Sequence, residues 1–232
     1  MVPLKRLFTS TLGRKYLMAA SGFALVLFII VHLLGNLTLF TGSGDAINTY
    51  AAKLDALGVG KLLLEIGLGL TILLHVITAI QVTYSSKAAR PVAYESSKSK
   101  GGPTKNTVTT RNMIITGMVL LVFIIVHLKQ FRFGPNMADG YTTNIHGENV
   151  LDIYRVIVET FMDIKNVIFY VATMFFLGFH FRHGFWSAFQ SLGMLNPRWS
   201  KPIHCLGFVI AVLLTVGFLI MPIYIYVTQG GM

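Results

Sequence analysis

YLMAASGFALVLFIIVHLLGNLTLF, residues Tyr16–Phe40, runs for 25 residues without a charge, and the first acid beyond it is Asp45. A hydrocarbon core about 30 Å thick needs roughly 20 apolar helical residues, so this stretch predicts a membrane-spanning helix. Four more such stretches follow, and the predicted spans are about 15–40, 61–85, 111–132, 165–190 and 203–228. The first is too long for the core of a cleavable signal and lacks a small-residue exit, so no cleaved leader is expected. Pro222, near the end of the last span, is a possible kink.

The rest of the chain agrees. Of its 232 residues 54% are hydrophobic and only 12% charged, half the charged fraction of about 25% in soluble domains. A cytosolic enzyme and a long disordered module are both excluded. The fold expected is an all-α membrane protein, a bundle of five transmembrane helices forming a single domain over 1–232. Cys205 is the only cysteine, which excludes a disulfide framework, a zinc knuckle, a protein-ligated iron–sulfur cluster and CxxCH haem attachment.

The net charge of +10 does not point to nucleic acid, because the basic residues flank apolar runs. Thirteen of the 19 lysines and arginines fall in the N-terminal segment, the loop after span two and the loop after span four. The opposite loops hold Asp45, Asp55, Asp139, Glu148, Asp152, Glu159 and Asp163. The positive-inside rule then puts the N-terminus in the cytoplasm and the C-terminus outside. Ser85–Pro103 reads as a flexible or partner-covered connector. Asn149–Asp163, with apolar residues at helical spacing, reads as a short interfacial helix. No internal repeat is strong enough to indicate duplication.

Four of the seven histidines lie well inside spans, on four successive helices: His32, His75, His127 and His180. Ionisable groups in lipid are costly and mark function. Counted from Lys15, Ser86, Arg111 and Ser191, they stand 17, 11, 16 and 11 residues from the cytoplasmic ends. At 1.5 Å per residue these depths are about 25, 16, 24 and 16 Å. His32 and His127 therefore share an outer level, and His75 and His180 an inner one. Two imidazoles at one depth on different helices can hold one planar macrocycle, so the pattern predicts two bis-histidine haems. Without CxxCH they are b-type, and with no open iron position they suit electron transfer. Zinc, needing three or four converging ligands, fits two-plus-two less well. Gly35, Asn36, Gly178, Gly184, Ser187, Thr71 and Thr78 are small or polar neighbours of the histidines that leave room for a macrocycle. Arg182 and His183 are candidates for the haem edge.

Helix four, GFHFRHGFWSAFQSLG (Gly178–Gly193), with HLLGN (His32–Asn36) and GRKYLMAASG (Gly13–Gly22), resembles the five-helix dihaem cytochrome b anchor of succinate dehydrogenases and fumarate reductases. The resemblance covers essentially the whole chain. It implies that His75 and His180 ligate the haem nearer the cytoplasm, and His32 and His127 the distal one. It implies a flavoprotein subunit and an iron–sulfur subunit docked on the basic cytoplasmic face of the cell's inner membrane. It implies electron delivery to a quinone, usually menaquinone, with no dicarboxylate chemistry in this chain. Candidates for quinone or proton handling are Glu65, the one acid within a span, and Lys129 and Gln130 just past His127. Trp186 and Ser187 are candidate borders of an inner quinone pocket. The competing readings are a cytochrome b of a hydrogenase or formate dehydrogenase type, and a non-redox transporter with a histidine proton relay.

Overall fold

Apolar runs this long form helices because lipid offers the backbone no hydrogen-bond partner other than itself. The computed structural model describes residues 4–89 and 112–230. It contains short helix α1 (Leu4–Thr9), α2 (Thr11–Asn36), α3 (Asp45–Asp55), α4 (Val59–Ala88), α5 (Met113–His127), α6 (Ile153–Phe161), α7 (Ile164–Ser191) and α8 (Pro197–Thr228). Five helices, including the turns that extend α2 to Thr41 and α5 to Arg132, are long and apolar enough to cross a membrane. The chain is a multi-pass membrane protein. Leu27, Leu64 and Ile125, each more than 60% exposed, show the faces left for lipid. Most of the connector predicted at Ser85–Pro103 lies outside the described residues.

Local chemistry sets the helix ends. Ser10 Oγ accepts the Gly13 N–H at 3.0 Å and starts α2. Asn196 Oδ1 accepts the N–H groups of Arg198 and Trp199, both at 3.0 Å. With Pro197 at the first helical position, this starts α8 six residues before the expected Ile203. The span continues unbroken through Pro222 to Thr228. After His127, α5 widens into a π-turn over Leu128–Arg132, seen in the Phe133 N–H bonding the Leu128 carbonyl at 2.8 Å.

The chain groups into two compact units, each taking a part of all five spans. The first comprises Met1–Phe28, Gly67–Met118 and Gly178–Val212. Its interior is aromatic: Phe23 meets Phe185 and Phe189 edge-on at 6.0 and 5.0 Å, and Phe185 stacks on Phe181 at 5.7 Å.

The second unit comprises Ile29–Ile66, Val119–Leu177 and Leu213–Met232. Its core gathers Leu39, Ile47, Ile157, Phe161, Val167, Tyr170, Met221 and Ile225. A short helix, expected in 149–163, is present as α6. Sequence reasoning missed α3 and a hairpin of β1 (Thr142–Ile145) and β2 (Glu148–Leu151), with Ile145 opposite Glu148. The hairpin's two-residue loop, His146–Gly147, has φ of 53° and 89°, the doubly positive backbone of a primed turn, which glycine tolerates freely. Asn48, 3% exposed, ties these pieces together. Its amide donates to Asp152 Oδ1 at 2.9 Å and its oxygen accepts the Tyr154 N–H at 3.0 Å.

Candidate functional site: two histidine pairs

Each unit contains one histidine pair. In the first, the rings of His75 (α4) and His180 (α7) lie 6.4 Å apart between centroids, inclined at 70°. In the second, His32 (α2) and His127 (α5) lie 5.8 Å apart, inclined at 89°. The pairing is the one expected from depth. Among the described residues no group of three or more metal-ligating side chains gathers anywhere, so the histidines meet two by two.

The hydrogen bonds assign the ring nitrogens. Ser21 Oγ donates to the Leu17 carbonyl at 2.8 Å and lies 3.2 Å from His75 Nδ1. Thr116 Oγ1 donates to the Met113 carbonyl at 3.0 Å and lies 3.1 Å from His180 Nδ1. Tyr170 donates its hydroxyl proton to Gln130 Oε1 at 2.6 Å and lies 3.4 Å from His127 Nδ1. A hydroxyl has one proton, and in all three cases a carbonyl takes it. With that proton committed to the carbonyl, each hydroxyl oxygen is placed to accept from Nδ1–H, the tautomer that leaves Nε2 its lone pair. His32 packs beside Phe218 at 5.8 Å, while His127 lies between Phe123 at 5.5 Å and Phe131 at 5.2 Å.

These residues fit a bis-histidine metal group. A metal–imidazole bond is about 2.0–2.1 Å; adding about 1.1 Å from nitrogen to ring centre on each side separates the centroids by about 6.2–6.4 Å. One pair meets this and the other is a few tenths of an ångström short. Small residues bring the first pair's rings close to neighbouring helices: a Cβ on Gly22 would stand 3.4 Å from His75 Cε1, and one on Gly117 3.3 Å from His180 Cε1. Gly35, read as space for a macrocycle, instead takes the Tyr50 ring, 2.6 Å from where its Cβ would be. Asn36 bonds back to the His32 carbonyl at 2.7 Å.

The remaining candidates separate. Arg182 lies over the Phe208 ring at 5.3 Å and His183 lies 6.0 Å from Trp186. Trp186 itself is buried and stacks on His204 at 4.9 Å. A cavity of about 380 Å³ opens in the first unit among Leu12, Lys15, Met18, Val82, Ser187, Gln190 and Ser191. Val82 and Ser187 each stand seven residues past a histidine of the pair, about two helical turns along the same face.

In the second unit, Glu65 is gripped by Arg132 through two bonds, Nε–Oε1 at 3.1 Å and Nη2–Oε2 at 2.9 Å. Lys61 stands 3.7 Å from Glu65 and also pairs with Asp55. Gln130 donates to Asn166 Oδ1 at 3.0 Å, and Asn166 donates to the Thr160 carbonyl at 2.9 Å. Lys129 is exposed.

No known protein family, curated protein or solved structure matches the chain. The functional reading therefore rests on the residues and their geometry. Ser21, Thr116, Tyr170 and Asn166 were not singled out from sequence. A signal existed for the first two, since Ser21-Gly22 and Thr116-Gly117 both stand 11 residues before a span histidine.

Proposed function

We propose that this chain is the dihaem cytochrome b membrane anchor of a succinate:quinone oxidoreductase, a succinate dehydrogenase or fumarate reductase. In this reading it lies in the cell's inner membrane with its N-terminus inside. It passes electrons from an iron–sulfur subunit, itself served by a flavoprotein, to a quinone of the menaquinone type. The observation that carries the reading is two histidine pairs, each drawn from two membrane-length helices and each with ring centres near 6 Å apart.

A b-type haem supplies a reversible one-electron couple when bound between two imidazoles. The chain's own residues do the rest. His75 with His180, and His32 with His127, would each hold one haem between their imidazoles. Ser21, Thr116 and Tyr170 hold Nδ1 and so fix the tautomer. Lys15, Ser187 and Gln190, at the cavity two turns beyond the first pair, would hold that group's carboxylates. The apolar, aromatic lining excludes water, which keeps the environment of the couple constant. At the other pair, Glu65, oriented by Arg132, is the proposed relay that would deliver a proton to the quinone as it is reduced, with Gln130 as a hydrogen-bonding group nearby in sequence to His127.

The test is the purified complex. Reduced-minus-oxidised spectra should show b-type absorption, with about two haems per chain from the bis-histidine count, and a subunit with covalent flavin should co-purify. A colourless chain would end the redox reading and favour a proton-relay transporter. A nickel or molybdenum partner would indicate a different dehydrogenase.

A further inference from the structure

We propose that Ser21 and Thr116 are paired positioning residues for the His75–His180 site: each hydroxyl accepts the Nδ1–H of the histidine facing it, turning Nε2 toward the metal and strengthening it as a ligand. The inference rests on the dihaem reading and deepens it by assigning two residues to one of the two groups.

Both hydroxyls are buried, Ser21 at 4% and Thr116 at 6% exposure, where an unmade hydrogen bond is costly. A serine or threonine bonding the carbonyl one turn back is commonplace in a membrane helix, and both residues do so. That bond alone needs no histidine. The further contacts, at 3.2 and 3.1 Å, reach across to a different helix in each case, and each comes from the oxygen whose proton is already committed; at His75 the Met18 carbonyl, from the same turn as Ser21, also bonds the ring.

The next residue along each helix is glycine, and its missing Cβ lets the imidazole lie against the backbone. Eleven residues past each hydroxyl stand His32 on α2 and His127 on α5. Eleven residues at about 100° each complete three turns with about 20° to spare, so hydroxyl and histidine lie on one helix face. The same device, hydroxyl then glycine then histidine, is thus built twice. Its two instances serve the two histidines of one site.

A hydrogen bond donated by Nδ1 increases the basicity of Nε2 and favours the oxidised metal. Thr116→Val removes the hydroxyl and keeps the shape; Thr116→Ser keeps the hydroxyl. In the intact complex, redox titration of the b bands should show that Ser21→Ala and Thr116→Val each raise the potential of one haem. That haem is the one lost in His180→Ala. The expected change is about tenfold in its reduced-to-oxidised ratio at fixed poise, about 59 mV for one electron. The other haem should not move, and Thr116→Ser should titrate like the wild type. Selective loss of the same haem in Thr116→Val, with Thr116→Ser retaining it, supports the assignment equally. Unshifted potentials in both hydroxyl-free variants, a shift in Thr116→Ser as large as in Thr116→Val, or equal effects on both haems would overturn it while leaving the dihaem reading intact. A wild-type chain without b-type absorption would overturn both.

Discussion

The two histidine regions solve one problem in different ways. A ring N–H in an apolar span needs an acceptor. At His75 the ring meets the Ser21 hydroxyl and the Met18 carbonyl of a neighbouring helix, and at His180 the Thr116 hydroxyl; each hydroxyl in turn bonds a backbone carbonyl about one turn away. At His127 the acceptor is Tyr170, and the bonds run on through Gln130 and Asn166 to the Thr160 carbonyl at the end of α6. The first arrangement is short and local to the helices. The second depends on a π-turn, a tyrosine and the segment between spans, so its order is tied to the extramembrane layer of its own unit.

The strongest way to break this comparison is to remove a ligand. His180→Ala or His75→Ala should reduce the haem count from about two to about one, and His127→Ala or His32→Ala should do the same with the complementary spectrum. Haem quantitation of the four variants checks it. If His75→Ala and His32→Ala abolished the same band, the pairing would be wrong and the comparison with it.

The dependence of the second region on its extramembrane layer can be probed next. Asn48→Ala leaves the Tyr154 N–H without its partner and takes one of two donors from Asp152 Oδ1, which keeps the Arg155 N–H, a loss of about 1–3 kcal/mol. Thermal unfolding in detergent should show the lower midpoint, with the haem count at low temperature unchanged. A midpoint equal to wild type would mean that water replaces both bonds.

Tyr170→Phe should have a smaller effect on the His127 site than Thr116→Val has on the His180 site. The Tyr170–His127 contact is 3.4 Å, at the weak end of hydrogen-bond range. The expected change is about two- to threefold in the reduced-to-oxidised ratio of that haem alone. A shift larger than that of Thr116→Val would reverse the ranking of the two supports.

What could be read in advance follows from the range of the forces involved. Span existence and the four histidines were legible because a membrane helix is dictated locally, by length and apolarity. Helix α8 begins before the expected Ile203 because Asn196 and Pro197 form a start signal, and the charged Arg198 and Lys201 lie inside the helix. The four-residue strands of the hairpin are too short for apolar periodicity to register, although His146–Gly147 is a turn signal; α3, with Ile47, Tyr50, Ala51 and Leu54 at helical spacing, was legible. Gln130 drew notice as a polar residue in an apolar run. Tyr170 did not, because tyrosine is ordinary in a span until its hydroxyl is seen against His127. Ser21 and Thr116 carry a sequence signal, the spacing of 11, but only their contacts with other helices make it meaningful.

The smallest expected effect lies in the segment that closes the second unit. Tyr141 donates to Glu159 Oε2 at 2.5 Å, Arg155 Nε donates to Glu159 Oε1 at 2.8 Å, and the guanidinium lies 4.3 Å over the Tyr141 ring. The Tyr141 hydrogen bond, then Arg155, holds the Glu159 carboxyl below its ordinary value, and the bond to Glu159 in turn pushes the Tyr141 phenol up. A carboxyl whose folded value is depressed contributes stability above its unfolded value, and loses it as pH falls through the folded one. A phenol whose folded value is raised contributes below its unfolded value and loses it as pH rises. The latch is therefore strongest between the ordinary carboxylate value of 4.5 and the ordinary tyrosine value of 10.0. All three groups are exposed, so solvent screens the gain. Between pH 6 and pH 4 the wild type should lose about a degree of melting temperature that Glu159→Gln does not lose. Equal slopes for the two proteins would show that the latch contributes nothing to the layer on which the Tyr170 chain ends.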